Sequence, residues 1–148
     1  MLRRFFLSRL AALPLASLPV KPAAEPRKKL KVMMKSAWGS DDPTKAAFAF
    51  LHGHALAEAG HDVQIFLLGE AVSLMRRVEA TAVVPVGWPP LVETMDKAVA
   101  KGIQIYACGA CSRARGITEA DLAAWKAKYG NPIIFVSLVE WADRIISE

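Results

Sequence analysis

Short apolar stretches typical of buried β-strands alternate along this chain with segments typical of α-helices. The strand-like stretches cover residues 30–36, 61–68, 103–107 and 133–137. Their near-continuous apolar character is typical of strands buried on both faces of a sheet. Because strands separated by helices are joined by crossovers rather than hairpins, the alternation predicts an α/β fold with a mostly parallel sheet.

Helix signals fill the intervals between these stretches. Pro43 follows two aspartates that are suited to capping a helix, and Gly60 is typical of a helix end. Thr118 and Asp121 have the spacing of a capping box. After the helix that begins at Pro43, helices are predicted over residues 70–77, 90–102, 118–129 and 138–146.

The order of these elements predicts one domain, a flavodoxin-like three-layer sandwich with the strand order 2-1-3-4. In that order the first and third strands are neighbours. The loops that follow them, residues 36–42 and 108–116, would then face each other across a cleft. Ser36 and Gly39 line the first of these loops, where the start of the next helix can hold a small anion.

Residues 1–24 have the pattern of a signal peptide, with Arg3 and Arg4 in a twin-arginine-like context. An ordinary Sec signal and a mitochondrial presequence are the alternatives. The apolar run of residues 10–20 is too short, and too interrupted by proline, to span a bilayer. The sequence therefore predicts an exported, periplasmic protein without a stable membrane span, in which residues 25–29 form a tether and residues 30–148 form the domain.

The basic character of the chain is concentrated in the leader. The formal net charge is +5, but seven of the 19 basic residues and one of the 14 acidic residues precede residue 30. The domain keeps 12 basic and 13 acidic residues and is close to neutral. The charge therefore gives no reason to expect a nucleic-acid partner.

The only two cysteines, Cys108 and Cys111, follow the third predicted strand in a C-x-x-C arrangement. A thiol reacts as its thiolate, so nearby groups that stabilise negative charge activate it. Cys108 lies at the strand end and is the expected nucleophile, and Cys111 is the expected second thiol. The surrounding loop contributes Gly109, Arg113, Arg115 and Gly116, whose backbone amides and positive charges would stabilise a thiolate.

Neither a metal nor an organic cofactor is predicted. A structural zinc site needs four ligands, and one C-x-x-C pair with three scattered histidines is a poor supply. The chain has no P-loop and no G-x-G-x-x-G run.

Three segments of the chain resemble the DsrE/DsrF/TusD family of small sulfur-handling proteins. They are residues 57–67, residues 98–102 and the loop of residues 108–116, which is similar to the C-G-x-C-x-x-A-R-G loop of one branch. The resemblance extends over residues 30–148 and implies a sulfur-relay role, with Cys108 receiving sulfane sulfur as a persulfide. It also implies sulfur donors and acceptors as partners, and assembly as a homo-oligomer, a trimer or hexamer. Members often end with one more strand, which the predicted elements lack.

Three functional hypotheses follow. The first is a persulfide carrier, similar to a sulfurtransferase, in which Cys111 attacks the persulfide on Cys108 and releases sulfide. The second is a dithiol redox protein that cycles between thiols and a disulfide; the absence of a helix start at the pair argues against it. The third is a non-catalytic oligomeric binding subunit in which the cysteines are incidental.

Overall fold

Among the residues that the structure describes, five strands form one sheet in which every neighbouring pair is parallel. The structure is a computed structural model that describes residues 28–148. The order across the sheet is β4-β3-β2-β1-β5. The strands are β1 (Lys31–Ser36), β2 (Asp62–Leu67), β3 (Gln104–Cys108), β4 (Lys128–Gly130) and β5 (Arg144–Ser147).

The helices begin at the capping signals that the sequence carries. The Asp42 side chain accepts a hydrogen bond from the Lys45 backbone N–H at 3.0 Å, and Thr118 and Asp121 form a capping box. A 3₁₀ helix (Gly69–Met75) follows β2. The α-helices are α1 (Pro43–Glu58), α2 (Arg77–Ala82), α3 (Leu91–Ala100), α4 (Gly109–Ala114), α5 (Glu119–Ala123) and α6 (Pro132–Trp141).

The predicted α/β sandwich with a parallel sheet is confirmed, but the predicted strand order 2-1-3-4 is wrong. β2 lies between β1 and β3, with Phe66 paired to Lys35 on one side and Tyr106 on the other. From β1 to β4, each strand lies beside the preceding one, always on the same side of it. Right-handed crossovers between strands added in one direction place their helices on one face of the sheet. The loops after β1 and β3 are therefore not neighbours across a cleft.

The two faces of the sheet are covered unequally. One face packs against α1, α3 and α5 in a core that includes Phe50, Met95 and Trp125. On the other face, Met33 and Phe66 pack against Leu138 of α6. A five-stranded sheet is about 19 Å wide and a helix is about 10 Å across, so α6 cannot cover this face completely.

The C-terminal elements differ from the prediction. Residues 133–137, predicted as a strand, belong to α6, because the Asn131 side chain caps Ile134 N–H at 2.8 Å and Pro132 occupies the first turn. The predicted helix of residues 138–146 contains the end of α6 and most of β5. β5 pairs with β1, so the last strand that the prediction lacked is present.

Two predicted helices have different bounds. The helix predicted over residues 118–129 ends at Ala123, and Lys126 then adopts a left-handed backbone with φ 53° before β4. The helix predicted over residues 70–77 is the 3₁₀ helix followed by α2. No helix within residues 28–148 has the length and apolar character needed to cross a membrane. The predicted signal peptide and residues 25–27 lie outside the described residues.

Candidate functional site

The cysteine pair lies where β3 passes directly into a helix. Cys108 is the last residue of β3 and the N-cap of α4, and Cys111 lies in the first turn of α4. The predicted loop of residues 108–116 is therefore largely helical. A Cβ on Gly109 would lie 3.2 Å from the Gly130 carbonyl oxygen, so glycine permits this close approach. Gly116, with φ +65°, follows the end of α4.

The surroundings of Cys108 favour its thiolate. Burial acts to raise the pKa of this thiol, but hydrogen bonds from the Cys111 backbone N–H and the Cys111 thiol lower it. The backbone N–H of Ala110 and the positive charge of Arg113 lower it further. The pKa of Cys108 is consequently below that of an ordinary cysteine, and more of it is ionised near neutral pH.

The surroundings of Cys111 have the opposite effect. Burial raises the pKa of the Cys111 thiol, and its hydrogen bond to Cys108 raises it further. The Gly69 backbone N–H, which donates to Cys111 Sγ at 3.3 Å, and the charge of Arg115 only partly offset this rise. Both cysteines are free thiols. Of the two thiols, Cys108 therefore ionises more readily, and Cys111 donates a hydrogen bond to it.

The two arginines of the predicted site have different partners. Arg115 makes two hydrogen bonds to the Glu70 carboxylate, one of them from Nε at 3.0 Å, and donates to the Cys111 carbonyl oxygen at 3.3 Å. This pairing lowers the pKa of Glu70 and raises that of Arg115. Arg113 is exposed beside Cys108. Both charges act on the Cys108 thiol, but that of Arg115 is also paired with Glu70.

The structure does not bring Ser36 and Gly39 to the cysteines. Ser36 is buried, and its hydroxyl accepts the Trp38 backbone N–H at 3.3 Å. A Cβ on Gly39 would lie 2.7 Å from the Glu70 carbonyl oxygen. The loop after β1 therefore packs against the 3₁₀ helix, which lies between this loop and α4. The prediction that this loop faces the cysteines across a cleft is wrong.

A cavity of about 560 Å³ opens beside the cysteines on the α6 face of the sheet. Cys108, Cys111, Gly109 and Arg113 all line it. The other lining residues come from the sheet, α6 and the turn before α6: Lys35, Phe66, Leu68, Ala110, Gly130, Asn131, Pro132, Phe135 and Val136. The thiols therefore face a largely apolar space with a cation beside them.

Several residues of this site could not be found from the sequence. Gly69, Glu70 and Lys35 reach the site from other strands and helices, and no local pattern connects them to the C-x-x-C pair. In the sequence, Gly69 indicates only that the strand of residues 61–68 ends there. Within residues 28–148 no three histidine, cysteine, aspartate or glutamate side chains cluster as metal ligands.

Comparison with solved structures identifies the same fold in other small proteins. YchN from E. coli superposes with a TM-score of 0.67 at 17% identity, covering 82% of this chain and all of that one. A conserved protein of unknown function from Bacteroides thetaiotaomicron, BT1422, gives 0.59 at 15% identity over 80% of this chain and 94% of its own. MTH1491 from Methanobacterium thermoautotrophicum, also of unknown function, gives 0.56 at 16% identity over 82% of this chain and all of its own.

Comparison of sequences gives a relative and a family. An uncharacterized protein from Methanopyrus kandleri, MK0008, is 36% identical over 67 residues, which is 45% of this chain. The chain spans about half the length of this curated relative, 51%. The model of the DsrE/DsrF-like family matches residues 28–147, which is nearly all of the part that the structure describes. The chain therefore belongs to the DsrE/DsrF-like family, whose members suggest a role of the sulfur-relay type.

Proposed function

We propose that this protein carries sulfane sulfur as a persulfide on Cys108. The observation that carries the proposal is the opposite tuning of the two thiols beside one cavity, with the Cys108 pKa lowered and the Cys111 pKa raised. A thiolate accepts sulfur readily, while a protonated neighbour does not compete for the same donor. Family membership supports a sulfur-relay role in the same direction.

The loading step is a displacement at sulfur. The Cys108 thiolate attacks the outer sulfur of a donor R–S–S⁻, a sulfur–sulfur bond forms, and the bond to the donor breaks. The products are the Cys108 persulfide and R–S⁻, so charge is conserved. Arg113 and the amides of Ala110 and Cys111 stabilise the negative charge that stays at this position.

Unloading has two routes. An acceptor thiolate can attack the outer sulfur and regenerate the Cys108 thiolate. Alternatively, the Cys111 thiol attacks Cys108 Sγ, which gives the intramolecular disulfide and HS⁻, the proton of Cys111 passing to the released sulfide. In this second route the sulfane sulfur is reduced and the two cysteines are oxidised.

Sulfide release after exposure to a polysulfide donor tests this scheme. We expect Cys108→Ser to take up no sulfur and Cys111→Ser to take up sulfur but release little sulfide without an added thiol. Sulfur uptake by Cys108→Ser equal to that of the wild type would refute the proposal.

A dithiol redox role is the second candidate, and the helical start at the pair favours it. Cys108 is the N-cap of α4, a placement that the sequence did not predict. Redox titration of the pair distinguishes the candidates. A readily exchanging disulfide, with no sulfur retained on Cys108, would favour the redox role.

We also propose export to the periplasm and assembly as a homo-oligomer. Export is supported by the pattern of residues 1–24, with a mitochondrial presequence as the alternative. Replacing Arg3 and Arg4 by lysine should stop a twin-arginine signal from exporting a fused reporter, whereas Sec export would continue. Assembly is supported by apolar side chains on the outer side of α6, where Ile133 is 76% and Val139 is 40% exposed.

A further inference from the structure

We infer that the sulfur donor is a small organic anion with sulfane sulfur at one end, an apolar body, and a second anionic group that Lys35 binds. The inference rests on the proposed function and names the class of donor for the same site. It follows from the shape, lining and charge of the cavity beside Cys108.

The walls of the cavity fit an apolar body. Phe66 and Leu68 line it from the sheet side, and Phe135 and Val136 line it from α6. Its volume of about 560 Å³ lies within the range of small-molecule sites. An inorganic donor such as thiosulfate would leave these apolar walls in contact with water, whereas an aryl or alkyl group would cover them.

The charges that line the cavity are all positive. Arg113 lies beside Cys108, and Lys35 projects from β1. No carboxylate of the described residues lines this space, and within residues 28–148 Lys35 makes no ion pair. A cavity with two cations and no anion favours a ligand that carries negative charge at both positions.

The sheet fixes the separation of the two charges. Cys108 lies on β3 and Lys35 lies on β1, with β2 between them. Lys35 is level with Phe66, and Phe66 is level with Tyr106, two residues before Cys108. Neighbouring strands are about 4.8 Å apart, so the lysine backbone lies about 10 Å across the sheet from the reacting strand. A para-substituted benzene ring is a body of suitable length.

The corresponding step with an aryl thiosulfonate is balanced. The Cys108 thiolate attacks the outer sulfur of Ar–SO₂–S⁻, forming Cys108–S–S⁻ and releasing the sulfinate Ar–SO₂⁻. Arg113 is placed to bind the sulfonyl oxygens beside the reacting sulfur, and Lys35 to bind a para carboxylate.

The test compares two probes, 4-carboxybenzenethiosulfonate and 4-carbamoylbenzenethiosulfonate, which differ in that the para group is a charged carboxylate in the first and a neutral amide in the second. The rate of Cys108 persulfide formation is followed by mass spectrometry, and each rate is divided by the rate with free cysteine to remove intrinsic reactivity. We expect the carboxylate probe to load Cys108 about fivefold faster, as one partly exposed ion pair provides. Lys35→Gln should remove this preference and Lys35→Glu should reverse it. Lys97→Ala, on α3 at the opposite face of the sheet, is the matched control and should keep it.

The outcomes separate this inference from the proposed function. Equal rates with the two probes, or a preference for the carboxylate probe that survives in Lys35→Gln, would overturn the inference about the donor. If thiosulfate still loaded Cys108, the proposed persulfide role would remain intact. If a second copy of this chain or a partner protein occupies the cavity, the two probes will also react at equal rates, which overturns the inference. Loading of Cys108 by none of the donors would overturn both.

Discussion

Cys108 and Cys111 carry the same side chain three residues apart, yet their surroundings shift their thiol pKa values in opposite directions. The Cys108 sulfur receives hydrogen bonds from backbone amides and from Cys111 and lies near Arg113. Burial and the hydrogen bond to Cys108 raise the pKa of the Cys111 thiol. Cys108 is thereby suited to attack a sulfur donor first, and Cys111 is suited to react second.

Alkylation of the wild-type protein by iodoacetamide should reflect this difference. Because the pKa of Cys108 is lowered and that of Cys111 is raised, the alkylation rate of Cys108 should reach half its maximum at a lower pH than the alkylation rate of Cys111. Fragment-ion mass spectrometry of the peptide that contains both cysteines measures each rate separately.

The two arginines provide the control for this measurement. Arg113→Ala removes a positive charge that lowers the pKa of Cys108, so the alkylation of Cys108 at neutral pH should slow by roughly threefold. Arg115 also interacts with Cys108 by charge but is paired with Glu70, so Arg115→Ala should slow the alkylation of Cys108 less than Arg113→Ala does. The reverse pattern would contradict the assignment of Arg113.

The Ser112 hydroxyl is buried and has no hydrogen-bond partner among the described residues. An unsatisfied buried hydroxyl is destabilising, so Ser112→Ala should leave the free energy of unfolding unchanged or raise it by up to about 1 kcal/mol. Urea unfolding measures this change. A loss of more than about 1 kcal/mol would mean that the hydroxyl is paired in solution.

At the scale of whole elements, the sequence predicted those with strong local signals. The strands β1, β2 and β3 coincide with apolar runs, α1 begins at a capping aspartate, and α3 has buried apolar residues at helical spacing. Residues 133–137 are rich in β-branched side chains and resemble a strand, but the Asn131 cap and packing on the sheet stabilise a helix. β4 has three residues, too few for a periodic pattern.

The residues of the candidate site also differ in whether the sequence alone could predict their positions. Cys108, Cys111 and Arg113 are close in sequence, so their proximity could be predicted from the chain alone. Glu70 and Lys35 depend on the packing of the 3₁₀ helix and on the position of β1. The expected approach of Ser36 and Gly39 failed because it assumed that β1 and β3 are neighbours.

The contact between the loop after β1 and the 3₁₀ helix can be tested with two glycines. A Cβ at Gly39 would lie 2.7 Å from a backbone oxygen of Glu70, so Gly39→Ala should cost about 1–3 kcal/mol of stability by forcing these elements apart. At Gly53 the nearest atom is 3.5 Å away, in ordinary contact. Gly53→Ala in α1 should therefore be neutral or stabilise the protein by about 0.5–1 kcal/mol. Equal effects in urea unfolding would contradict this description.

In the whole molecule as described over residues 28–148, one helix, α6, covers one face of the sheet and leaves both a cavity and an apolar surface. α6 packs through Leu138, while Ile133 and Val139 on its outer side remain 76% and 40% exposed. Apolar side chains on a helix that lies at the surface favour burial against another protein surface. This arrangement supports the proposed homo-oligomer.

Sedimentation of the purified protein tests that assembly. We expect a trimer or hexamer for the wild type and a monomer for Ile133→Glu with Val139→Glu, because burying either charge in an apolar interface is costly. Val78→Glu, at an equally exposed position on α2, is the control and should leave the assembly unchanged. A monomeric wild type at micromolar concentration would refute the oligomer.

The intact mass of the protein after brief exposure to a sulfane-sulfur donor shows whether Cys108 carries a persulfide. We predict a gain of one or more sulfur atoms in the wild type and in Cys111→Ser, with fragment ions placing the sulfur on Cys108, and no gain in Cys108→Ser. A wild-type mass lower by only the two hydrogens of a disulfide would instead indicate dithiol redox chemistry. Sulfur found on Cys111 while Cys108 stays unmodified would contradict the assignment of Cys108 as the nucleophile.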